Sequence, residues 1–187
     1  RSSQNFIDNS IRENYLFNST INGIEETDLI LLIGANPRFE ATMVNARIRK
    51  AYLNNQIKII SLNNVGDLTY PYDFLDGKTK TIKDIVENNN EISKKIIAAK
   101  KPMIILGESF FNTKSTNYLF HSLKKFLKEN NKITNEWNPI NILSTDAATV
   151  GNLDLDIINS KENLINELKE NKFELIYLLG QDNLEFN

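Results

Sequence analysis

The chain contains no cysteine. That absence excludes a disulfide framework, a thiolate nucleophile, a cysteine zinc site and cysteine-ligated iron–sulfur clusters within these 187 residues. Histidine occurs once, as His121, which leaves little room for a histidine-based metal centre or a Ser-His-Asp triad with a spare. Lys+Arg total 22 against Asp+Glu 24, so no excess of either sign draws the chain to nucleic acid or to an anionic membrane. No apolar run reaches the roughly 18 to 20 residues of a membrane-spanning helix. The seven glycines form neither GxGxxG nor a P-loop.

What is present reads as a globular α/β chain. Hydrophobic residues make up 41% and charged residues 25%, ordinary values for a packed domain of this length. Asn, Ile and Lys together exceed a third of the residues, the signature of an AT-rich gene. The chain begins at Arg1 and not at Met, as a processed product or a segment would.

Leu29 to Ile33 is a continuous apolar run ending at Gly34, the pattern of a strand covered on both faces. Val44, Ile48, Ala51 and Tyr52 then recur at helical spacing between about Glu40 and Asn54. Ile57, Ile59, Ile60 and Leu62 form a second strand, completing a βαβ unit. Further along, Ile92, Ile96 and Ile97 predict a helix and Met103 to Leu106 a strand ending at Gly107. Leu119, Phe120, Leu123, Phe126 and Leu127 predict an amphipathic helix; Ile140, Ile142 and Leu143 predict a short strand. Asn159 and Glu162 resemble an N-cap and its N3 partner opening a helix through Leu168, and Leu175 to Leu179 reads as a last strand ending at Gly180. The stretch Asn63 to Asn90 is polar and turn-rich and is predicted to be mostly irregular. The fold expected is α/β: a doubly wound, mostly parallel sheet with helices on both faces, in one domain over 1–187.

Three groups of residues invite a chemical reading. Gly34-Ala35-Asn36-Pro37 follows a strand and precedes a helix, so it is either a plain strand-to-helix turn or a turn offering N–H groups to a phosphate. Arg38, Arg47 and Arg49 are three of the five arginines; with Lys50 they form a solvated face, pair with Glu40 and other carboxylates, or dock another protein. Asp67 with Asp73, and Glu25 with Glu26, are carboxylate pairs that would need a pocket before they could do acid–base work. His121 is expected at the border of a buried helix face, and Trp137, Tyr70 and Tyr72 at packing or interface positions. No catalytic constellation emerges.

Several longer strings carry a resemblance. They are Asn14-Tyr15-Leu16-Phe17-Asn18-Ser19-Thr20-Ile21-Asn22-Gly23-Ile24-Glu25-Glu26-Thr27-Asp28, then Leu31 to Ala41, and Val44-Asn45-Ala46-Arg47-Ile48-Arg49-Lys50-Ala51. Val65 to Tyr70, Ala99 to Met103, Trp137 with Asn141-Ile142-Leu143, and Tyr177 to Gly180 continue the series. Together they resemble the large iron–sulfur subunit family of respiratory complex I, whose corresponding region is similar to a molybdopterin-oxidoreductase domain. The resemblance implies a non-catalytic structural part of the peripheral arm, supporting electron transfer from NADH to ubiquinone. It implies no cofactor and no metal in this chain, with Gly34, Asn36 and Pro37 as a vestigial ligand turn. Iron–sulfur clusters are expected in an N-terminal part that is absent here, or in a partner chain, and the sheet is expected to be completed by another chain. Arg38, Arg47 and Arg49 are the interface candidates. The partners implied are other peripheral-arm subunits, at the mitochondrial inner membrane on the matrix side or at the cytoplasmic side of a bacterial inner membrane. A fragment of an active molybdopterin-dependent oxidoreductase and a free dinucleotide-binding module are the alternatives.

Overall fold

A computed structural model describes residues 8–113, 115–155, 166–170 and 172–177. The chain divides into two compact units, 4–156 and a second made of 1–3 with 157–187.

In the larger unit five strands form one all-parallel sheet in the order β3-β2-β1-β4-β5. The strands are β1 (Leu29–Ile33), β2 (Lys58–Ser61), β3 (Asp73–Phe74), β4 (Pro102–Leu106) and β5 (Ile140–Ile142). Before the sheet lies a short helix, α1 (Thr20–Gly23). Connecting the strands are α2 (Pro37–Glu40), α3 (Thr42–Asn55), α4 (Thr79–Val86), α5 (Glu91–Ala98), α6 (Glu108–Phe111) and α7 (Thr116–Glu129), with α8 (Thr149–Asp154) following β5.

Why this sheet is parallel and doubly covered follows from its residues. All five positions of β1 and all five of β4 are buried, so neither strand has a face left for solvent. Strand geometry sends alternate side chains to opposite faces. Leu29, Leu31 and Ile33 join Ile60, Ile104, Leu106, Ile140 and Ile142 on one face, under α4, α5 and α7. Ile30 and Leu32 join Ile59, Met103 and Ile105 on the other, under Val44, Ile48 and Ala51 of α3. Two separate cores, one per face, are the packing expected of a doubly wound sheet.

Segment 14–19 seals the edge at β5. Phe17 bridges Asn141 in antiparallel sense, and the Ile142 N–H donates to the Leu16 carbonyl at 3.0 Å. Asn18 Nδ2 donates to the Ile140 carbonyl at 2.7 Å, and the Ile140 N–H donates to Asn138 Oδ1 at 3.1 Å. Asn141, fully buried, accepts the Ser19 N–H at 2.8 Å and donates to Ser19 Oγ at 3.0 Å and to the Pro139 carbonyl at 3.0 Å. A buried amide with each end bonded is the only inexpensive way to keep it there.

The stretch Asn63 to Asn90 is mostly irregular, as its composition suggests, and it also holds β3 and α4. Ile82 and Ile85, three apart, bury against the sheet, and that short stripe is hidden among threonines and lysines. The single helix expected from Glu40 breaks at Ala41, whose extended φ of −153° divides α2 from α3. Leu175, Ile176 and Tyr177 are exposed and not in a strand. An apolar run supplies only the side chains of a strand; it still needs a neighbouring ladder to form one. Positions 178–180 of that run, and most of the helix expected after Asn159, lie outside the described residues, although 166–169 are helical.

Candidate functional site

Doubly wound sheets bind ligands outside the carboxyl ends of their strands, where the strand order reverses. Here the reversal falls between β1 and β4, because β2 and β3 build outward on one side and β4 and β5 on the other. Gly34 and Gly107 end these two strands side by side.

The two glycines bring backbone against backbone. A Cβ on Gly107 would lie 2.2 Å from the Gly34 carbonyl oxygen and 2.5 Å from Ala35 Cα. One on Gly34 would lie 2.5 Å from the Phe110 nitrogen, and the φ of +62° at Gly34 disfavours any other residue besides. The Gly107 N–H donates to the Ile33 carbonyl at 3.0 Å, tying the strand ends together. At this point of the rim, protein backbone fills the crevice.

The turn itself is engaged from within the chain. The Gly34 N–H donates to Asn63 Oδ1 at 3.3 Å, and the Asn36 N–H donates to Glu40 Oε2 at 3.1 Å. Pro37 has no N–H to give, and of the N–H groups that follow it, those of Phe39 and Glu40 donate to the Asn36 carbonyl at 3.1 and 2.9 Å. Asn36 Nδ2 donates to the Val65 carbonyl at 3.2 Å. Burial pushes the Glu40 carboxyl above the usual glutamate range; the Asn36 N–H opposes that shift, and the nearby Glu108 carboxylate adds to it.

The family resemblance implies a phosphate-bearing pterin cofactor at such a turn, and these residues do not fit one. The N–H of Asn36 is already bonded to a carboxylate, and two acidic side chains, Glu40 and Glu108, crowd the same rim. Asn36 Oδ1 is buried with no partner, but it is an acceptor, the wrong sense for a phosphate oxygen. Nor do the remaining polar residues assemble elsewhere. Among the described residues no cluster of three or more His, Asp or Glu has the arrangement of a metal site. His121 is exposed beside Phe120, at a concavity of about 10 Å³ that has room for at most one water.

Of the sequence-nominated arginines, Arg38 donates at 2.6 Å both to the Asp67 carboxylate and to its carbonyl, pinning the loop after β2. Asp67 lies below the usual aspartate range, held first by the Thr69 N–H and then by Arg38. Arg47 and Lys50, one turn apart on α3, both engage Glu25, with Lys50 at 2.8 Å, and their hydrogen bonds hold that carboxyl low. Arg49 is exposed and has no partner among the described residues. Glu40, nominated as an arginine partner, makes no ion pair among the described residues; its carboxylate faces its own turn instead. Asp73 pairs with Lys58 at 3.4 Å and Glu26 with Lys101, so neither carboxylate pair forms an acid–base site.

Asn45, not nominated from the sequence, completes the rim. Asn45 donates through Nδ2 to the Leu68 carbonyl at 3.1 Å and accepts the Tyr70 hydroxyl at 2.8 Å, so the loop 63–72 is fastened over the α3 side. Burial raises the Tyr70 hydroxyl well above its ordinary value. Asn45 lies on the sheet-facing side of α3 among Val44 and Ile48, and a lone polar residue in an apolar stripe was the available signal.

Comparison with known proteins agrees with this architecture. The chain is 38% identical over 176 residues to the NADH-ubiquinone oxidoreductase 75 kDa subunit of Reclinomonas americana, covering 92% of this chain and 25% of the relative. It is 37% identical to the 78 kDa mitochondrial subunit of Candida albicans over 93% of this chain, and 36% identical to that of Neurospora crassa over 95%; each match covers 23% of the relative. The chain thus spans about a quarter of the length of these curated relatives. Among the described residues no helix is long and apolar enough to cross a membrane. The family profile described as molybdopterin oxidoreductase matches residues 2–186, and with a match over nearly the whole of its length, the chain belongs to the molybdopterin oxidoreductase family.

Proposed function

We propose that this chain is a structural part of an NADH:ubiquinone oxidoreductase, in the arm that carries electrons from NADH, and that it performs no chemistry of its own. What supports the reading is the identity of 36–38%, spread over 92–95% of the chain, to relatives named as the 75 and 78 kDa subunits of that enzyme. The rim supports it too, because the place where an active relative would seat a cofactor is spent on internal bonds: Gly107 against Gly34, and Glu40 on the Asn36 N–H. With no cysteine in the sequence, the iron–sulfur clusters of such an enzyme belong to another part of the subunit or to a partner chain. Its location in this reading is the matrix side of the mitochondrial inner membrane; the relatives named as mitochondrial support the organelle.

Native purification tests this. NADH-oxidising membrane assemblies are solubilised in mild detergent, separated by size and sequenced by mass spectrometry. The chain should follow the NADH:ubiquinone reductase activity at constant ratio. Active assemblies devoid of this chain would refute the proposal, and molybdenum copurifying with the chain at one atom per chain would favour the reading as a fragment of an active molybdopterin enzyme.

A further inference from the structure

Helix α3 is apolar on two opposite sides. Val44, Ile48 and Ala51 seat it on the sheet. On the solvent side Met43, Ala46, Lys50 and Leu53 follow one another at intervals of three and four residues, the spacing that lines up a single row on a helix. Met43 is 69% and Leu53 65% exposed, and Phe39 in the preceding helix is 80% exposed. An ordinary surface helix carries polar side chains along that row.

Charge accompanies the row. Helix α3 contains Arg47, Arg49 and Lys50 and no carboxylate. Glu25 answers Arg47 and Lys50. Arg12 and Arg38 are likewise answered, by Asp154 and Asp67. Among the described arginines only Arg49 is left without an acidic partner, and it stands beside the exposed row. A surface that is apolar apart from Lys50, itself held by Glu25, and that has an unanswered arginine at its margin complements an amphipathic helix with an acidic flank.

We infer that the outer face of α3 is a docking surface for an amphipathic helix of another polypeptide in the same assembly. That helix lays its apolar residues along Met43, Ala46 and Leu53 and presents a carboxylate to Arg49. The inference rests on the proposed function for the assembly and adds to it which face is used and what chemistry recognises it. Met43 and Leu53 are ten residues apart, about 15 Å along the axis, so two to three turns of the partner suffice.

The test uses the intact assembly carrying the chain with Ala46→p-benzoylphenylalanine. Irradiation followed by peptide sequencing should give an adduct to one segment that has apolar residues at three- and four-residue spacing and at least one Asp or Glu. Adding Arg49→Glu should lower the adduct yield about tenfold, the effect of replacing one charge-assisted contact by a repulsion, whereas Arg49→Lys should retain most of it. Recovery of the chain in the assembly without an adduct overturns this inference alone. So does an adduct to a second copy of this chain, to lipid, or to a segment lacking a carboxylate, and so does a yield indifferent to Arg49→Glu. Absence of the chain from the assembly overturns this inference and the proposed function together.

Discussion

Replacing Gly107 by alanine isolates the contact that closes the rim. The φ of −95° and ψ of 178° at Gly107 suit any residue, so the substitution carries no backbone-conformation cost. Its destabilising effect comes from the new methyl, placed 2.2 Å from the Gly34 oxygen where real Cβ atoms keep at least 3.0 Å. The strand ends must therefore separate by about 0.8 Å, and the nearest atoms are backbone that cannot rotate aside as a side chain would. Overpacking of this kind costs about 3 kcal/mol, the upper end of the ordinary range, because the Gly107 N–H bond to Ile33 is stretched by the same movement. For a domain of this length that corresponds to a fall of about 6 to 12 °C in Tm. Urea denaturation of the purified chain followed by circular dichroism measures it, with Gly151→Ala as the control. Gly151 lies within α8 with nothing inside 4 Å of its would-be Cβ, so alanine there should stabilise by about 0.5 to 1 kcal/mol. If Gly107→Ala costs less than about 1 kcal/mol, the two strand ends are not in contact and the crevice at the reversal point is open.

Three further outcomes are expected. Asn141→Ala strands the Ser19 N–H in the interior, while the Ser19 hydroxyl keeps its bond to the Asn138 carbonyl, and should cost about 1 to 3 kcal/mol in the same urea assay; a loss under about 1 kcal/mol would mean that water replaces the amide. Glu40→Gln should stabilise the chain at neutral pH. The folded pKa of Glu40 is raised above its ordinary 4.5, so the native state loses stability as pH rises through that range and the glutamine variant does not; the two thermal melts should converge below about pH 4, and divergence in the other direction would refute the assignment. Asp154, pulled down to about 2 first by Arg12 and then by the Tyr15 hydroxyl, works in the opposite sense. Its tie to Arg12 is intact above the ordinary aspartate value and is lost as pH falls through about 2, so Asp154→Asn should speed amide exchange in α8 at pH 6 and make a much smaller difference at pH 2.

Strand positions were readable because both faces of β1 and β4 bury side chains, and five consecutive apolar residues between turns have few other uses. Helix α7 was readable for a related reason, since Leu119, Leu123, Phe126 and Leu127 form a stripe too long to misread. Helix α4 was not, because eight residues with two buried isoleucines leave a weak period. Leu175 to Tyr177 misled in the reverse direction, because hydropathy reports what a side chain prefers and not whether a neighbouring strand is present. At the rim, the turn Gly34 to Pro37 stood out by its residue types. Its internal engagement did not, since the Asn36–Glu40 and Gly34–Asn63 bonds depend on distances that spacing alone does not encode. Arg38 and Arg49 look alike in sequence; only the fold shows that one is spoken for and the other is not.

The seal at β5 has a directional consequence. With Leu16 on the Ile142 N–H, Asn18 on the Ile140 carbonyl and Asn138 on the Ile140 N–H, that margin has little free ladder to lend. At the opposite margin stands the two-residue strand Asp73–Phe74, exposed at both positions. Any foreign backbone that lengthens this sheet must therefore join it beside Phe74, so growth of the sheet, if the larger assembly requires it, is polarised to one end.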